Sequence, residues 1–122
     1  MIIAIDFDGT CVAHEYPEIG HSIGAEPFIE ELAKRGHKLI LFTMRSGEHL
    51  QAAVRWFDGI GVSLWGINQN PHQSEWTTSP KVYAQVYIDD AALGCPLIHP
   101  PNGKRPFVDW SKVSVILEQM GV

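Results

Sequence analysis

Cysteine is scarce in this chain: Cys11 and Cys95 are the only two, too few for a disulfide framework and not spaced as a zinc site. Long apolar runs are missing as well, so no segment reads as a membrane span, and the N-terminus lacks the basic and apolar regions of a signal peptide. Together these absences point to a cytoplasmic protein with reduced thiols and no membrane partner. Positive charge is also short. Nine Lys and Arg stand against 14 Asp and Glu, a formal net charge of -5, which argues against a broad basic face for nucleic acid or anionic lipid. A local basic pocket stays open, and nucleic acid is not excluded as a partner. No repeat, low-complexity tract or charge block interrupts the 122 residues, so residues 1–122 read as one domain with one core.

What is present begins at the N-terminus. Ile2, Ile3, Ala4 and Ile5 form a short apolar run that stops at Asp6-Phe7-Asp8-Gly9-Thr10. In an extended chain residues i and i+2 point the same way, so Asp6 and Asp8 face a common volume just past a buried strand, and Gly9 lets the backbone turn away. Two carboxylates so close are costly unless one is protonated or a cation lies between them. A hard divalent ion with oxygen ligands removes that cost.

The remainder alternates between helix and strand signals. Residues 11–24 are irregular and too long for a simple connection, which predicts a hairpin or flap of their own. Pro27 in a first turn, Lys34 and Arg35 in a last turn and Gly36 as a stop mark one helix, with Phe28, Ile29, Leu32 and Ala33 on one face. His37 to Phe42 reads as an inner parallel strand ending at Thr43. A second helix starts near Ser46 or Gly47, carries Leu50, Ala53, Val54 and Phe57 on one face, and ends by Gly59 or Gly61. Val62 to Ile67 is a weaker strand, interrupted by Gly66. Residues 68–80 are polar and turn-rich, a loop that should be functional or mobile. Lys81 follows, then Val82 to Ile88, rich in β-branched and aromatic residues, reads as a strand running into Asp89-Asp90. Leu97 to His99 makes a short last strand, residues 102–106 a small basic loop read as solvated decoration, and Asp109 to Met120 a closing helix.

Such alternation implies a parallel sheet with helices on its faces, and ligands in such sheets bind beyond the carboxyl ends of the strands. Asp6, Asp8, Thr43, Asp89 and Asp90 all follow predicted strands, so they should converge on one edge.

IIAIDFDGT resembles the first motif of the haloacid dehalogenase (HAD) superfamily of phosphohydrolases. HKLILFTMRS resembles the second, Lys81 stands in the place of the third, and VYIDD is similar to the fourth. The resemblance spans residues 2–90 and implies a Rossmann-like three-layer α/β/α sandwich with a mainly parallel central sheet. The intervals between motifs hold no separate cap domain. It further implies a magnesium-dependent phosphatase in which Asp6 is the nucleophile and Asp8 the general acid and base. Thr43 and Lys81 would bind the phosphate, and Asp6, Asp8 (through its main-chain carbonyl), and Asp89, Asp90 or both would hold Mg2+. His14, Tyr16 and Arg45 are candidate substrate contacts. A capless site suits a phosphorylated macromolecule, or a small phosphorylated substrate enclosed by a neighbouring subunit of a homo-oligomer. Two rivals from other classes are a catalytically idle HAD-fold binding or scaffold protein and a receiver-type phosphoacceptor domain. The receiver has its acidic pair after the first strand and its Thr and Lys late, the reverse of the order found here.

Overall fold

The computed structural model describes residues 1–122 and shows an α/β fold. Strands β1 (Ile2–Ile5), β2 (Lys38–Leu41), β3 (Gly66–Ile67) and β4 (Val86–Ile88) form one parallel sheet in the order β3-β2-β1-β4. Ile3 pairs with Leu39 on one side and Val86 on the other, which puts β1 at the centre. Helices α1 (Glu26–Lys34) and α2 (Gly47–Gly59) follow β1 and β2, and α3 (Trp110–Gln119) closes the chain, with the Asp109 side chain accepting from the Lys112 N–H as its cap. A two-stranded antiparallel hairpin, β5 (Leu97–Ile98) with β6 (Phe107–Val108), precedes α3.

Strand alternation divides the apolar side chains between two faces. Ile3, Ile5, Leu39 and Leu41 join Ile29 and Leu32 of α1, Ala53 and Phe57 of α2 and Val113 and Leu117 of α3 in one large core. Ala4 and Ile40 point the other way and meet only Val82 and Ala84 among buried residues. All three helices thus pack into the core on one face, and an irregular segment, residues 68–85, forms the layer on the other. The α/β fold therefore has irregular chain where the expected α/β/α sandwich would have its second helical layer. No domain is inserted between the elements.

That covering segment explains why β4 is shorter than the apolar run from Val82. The Tyr87 hydroxyl donates to the Val82 carbonyl at 2.6 Å and accepts from the Ala84 N–H at 3.1 Å, folding these residues onto the sheet face instead of along its edge. Two buried amides brace the rest. Gln73, in a single 3-10 turn (Gln73–Glu75), donates to the carbonyls of Ser79 and Lys81 and accepts from the Tyr83 N–H; Asn70 donates to the Tyr83 carbonyl and accepts from the His72 N–H. The polar loop is therefore an ordered cover, its main-chain groups paired by side chains in place of a ladder. No helix is long and apolar enough to cross a membrane.

Candidate functional site

At the carboxyl edge of the sheet a cleft of about 550 Å³ opens over β1 and β4. Asp6 leaves the end of β1 and Asp89 and Asp90 leave the end of β4; one carboxylate oxygen from each lies within 4.8 Å of the others. Parallel pairing of Ile5 with Ile88 brings them together, since each strand delivers its acidic residue at the same height. This cluster could hold a metal ion, and the electrostatics fit one. Burial pushes the Asp6 carboxyl up from 3.8 to about 7, a rise opposed by the Thr10 hydrogen bond and reinforced by the charge of Asp89. A divalent cation on oxygen ligands would reverse that balance and favour the ionised form.

Thr10, fully buried, links the two acidic strand ends. Its hydroxyl donates to Asp6 Oδ2 at 2.8 Å and accepts from the Asp90 N–H at 3.0 Å. His14 lies 2.8 Å through Nε2 from Asp90 Oδ2. Gly9 makes room for this pair: its φ is +82°, and a Cβ there would collide with His14 Nε2 and Asp90 Oδ2. Isolated bridges from Val12 to Asp8 and to Ser22 show that residues 11–24 do fold back beside the site.

Asp8 faces a different partner. Arg45 Nε and Nη2 donate to its two oxygens, each at 2.8 Å. The same guanidinium donates to the carbonyls of Pro17, Glu18 and His49, which engages all five of its N–H groups. Its carbon lies 5.1 Å from the ring centres of both Phe7 and Tyr16, and the side chain is 1% exposed. Arg45 is therefore not a substrate contact: it has no donor left for one, and its role is to orient Asp8 and pin the flap and α2 beside it. The Asp8 carboxylate accordingly stands apart from the Asp6, Asp89 and Asp90 cluster.

Thr43 lines the cleft two residues beyond β2. Its hydroxyl accepts from the Arg45 N–H at 3.1 Å, an ST turn that leaves the hydroxyl proton free to donate. Asn68, at φ +52°, accepts from the Thr43 N–H at 2.8 Å and fixes the turn from below. His14 and Tyr16 also line the cleft.

Lys81 does not. The covering segment carries it away, and Nζ sits 5.9 Å from the Tyr87 ring centre outside the cleft. The expectation that Lys81 binds phosphate is corrected accordingly. In its stead Arg105, from the basic loop read as solvated decoration, lines the cleft. Sequence reasoning also passed over Thr10 and Asn68 as site residues. The Thr of DFDGT was a usable signal for the first, whereas nothing local marks Asn68 or Arg105.

No family model and no curated protein matches the chain. Among solved structures, one described as a conserved protein coded by a locus from Bacteroides thetaiotaomicron superposes with a TM-score of 0.80 at 31% identity. The match covers 98% of this chain and 91% of that one. Identity at that level over almost the whole of both chains means that this chain belongs to the same family as the conserved Bacteroides thetaiotaomicron protein.

Proposed function

We propose that the protein is a magnesium-dependent phosphomonoester hydrolase of the HAD type that works through an aspartyl-phosphate on Asp6. The observation that carries this reading is the meeting of Asp6, Asp89 and Asp90 within 4.8 Å, in a cleft that Asp8 and the Thr43 side chain also line. Asp6, the Asp8 main-chain carbonyl, Asp89 and Asp90 would hold the magnesium ion. When bound, it supplies the positive charge that lets a carboxylate approach a phosphate dianion.

Asp6 attacks the phosphorus through a carboxylate oxygen; the bond to the leaving oxygen breaks, its electron pair stays on that oxygen, and Asp8 delivers a proton to it. Water then attacks the phosphorus, Asp8 takes its proton, and inorganic phosphate leaves with the Asp6 carboxylate restored. The ion pair with Arg45 occupies one lone-pair site on each Asp8 oxygen, so it fixes the carboxyl in place while a further site stays available for this proton. Thr43 donates its hydroxyl proton to a phosphoryl oxygen.

The test is phosphate release, with and without magnesium, from an aryl phosphate and a panel of sugar phosphates, nucleotides, phosphopeptides and phosphate-ended oligonucleotides. Magnesium-dependent release is expected, and Asp6→Asn should lower it by roughly a thousandfold or more while the protein stays folded. One observation favours a second reading, a catalytically idle binding protein: Lys81 lies outside the cleft. Release from no panel member by folded, magnesium-loaded protein would select that reading.

A further inference from the structure

Four carboxylates, those of Asp6, Asp8, Asp89 and Asp90, line the cleft. With Asp8 carrying the proton it delivers, Arg45 and one divalent ion offset the charges of Asp6, Asp89 and Asp90, so a phosphate dianion entering the site would bring two charges that nothing there balances. One more cation with free donors is needed close by. Arg45 cannot meet that need, because its five N–H groups are all engaged within the chain. His14 is tied to Asp90, and Lys81 is turned onto Tyr87.

We infer that Arg105 is the substrate-binding cation of this site, its guanidinium fork receiving two oxygens of the substrate phosphate. This rests on the phosphohydrolase reading and names a residue that the four-motif pattern does not contain. Arg105 lines the cleft, is exposed, and forms no ion pair within the chain. Its position is built in. The Val108 N–H of β6 donates to the Gly9 carbonyl at 2.9 Å, and Trp110 Nε1 donates to the Thr10 carbonyl at 2.6 Å. The strand that follows Arg105 is thereby fastened to the same turn that carries Asp6 and Asp8. An arginine suits the task, since its planar fork matches two phosphoryl oxygens and binds them more strongly than neutral donors do.

The experiment compares wild type, Arg105→Gln, Arg105→Lys and Lys81→Gln. It reads binding of inorganic phosphate by calorimetry in magnesium, alongside kcat/KM for an aryl phosphate. Arg105→Gln should weaken phosphate binding and lower kcat/KM by roughly tenfold or more, Arg105→Lys should recover part of both, and Lys81→Gln should change neither by more than about twofold. Losses in Lys81→Gln with Arg105→Gln unaffected would overturn the assignment while leaving the phosphatase reading in place. Wild-type protein that neither binds phosphate nor turns over any ester would overturn the phosphatase reading, and this assignment with it.

Discussion

Arg45 shows how far a residue's role can lie from its sequence position. Beside Thr43 it reads as a substrate contact, yet the fold encloses it and pairs it with Asp8, the carboxylate 37 positions earlier. A buried charge is tolerable only when every donor is met, and here each is. Arg45→Met should therefore cost about 3–5 kcal/mol of stability, because Asp8 would be left charged and unpaired; chemical denaturation would measure it, and a loss below about 1 kcal/mol would contradict the clamp. At this scale Asp6, Asp8, Thr43, Asp89 and Asp90 were legible because each lies within three residues of a strand's end, so local pattern alone sends it to the carboxyl edge. Lys81 and Arg105 were misread for the complementary reason. Each sits in irregular chain, and where its side chain goes depends on what that chain is fastened to.

The elements divide along the same line. Helices α1, α2 and α3 and the central strands carry apolar periodicity that a packed core rewards, and their expected bounds differ from the observed ones by a residue or two. Strand β4 does not, because Val82 and Ala84 have strand-like composition but are drawn onto the sheet face by the Tyr87 hydroxyl, where the small Ala4 leaves room. Strand β6 was missed altogether, being two residues long and held by the Gly9 carbonyl. The second face depends on side-chain amides, and Gln73 is the most connected of them. Gln73→Leu would leave the Tyr83 N–H and the Ser79 and Lys81 carbonyls without this partner, costing about 1–3 kcal/mol. Hydrogen exchange should show faster exchange across residues 70–84 with β1 still protected; unchanged protection there would mean that the cover is held by something else.

Across the whole molecule, one folding cost is concentrated at the site. Asp6 titrates near 7 in the folded chain against an ordinary value of 3.8, so the folded state prefers its protonated form. That preference is fully present below about pH 4 and is lost as pH rises through 7, a penalty to the metal-free protein of up to about 4 kcal/mol. Thermal unfolding of metal-free protein should show Asp6→Asn gaining on wild type as pH rises from 5 to 8, and magnesium should stabilise wild type more at pH 8 than at pH 5. A gap between the two proteins that does not move with pH would contradict the burial account. The same site that destabilises the empty fold is the one expected to form a covalent bond to phosphorus. The measurement that tests this most directly is borohydride trapping during turnover of an aryl phosphate in magnesium, followed by peptide mass spectrometry. An acyl phosphate is reduced to an alcohol where a free carboxylate is not, so conversion of Asp6, and of no other carboxylate, is the expected result. Turnover with reduction at a different carboxylate, or undiminished turnover in Asp6→Asn, would contradict it.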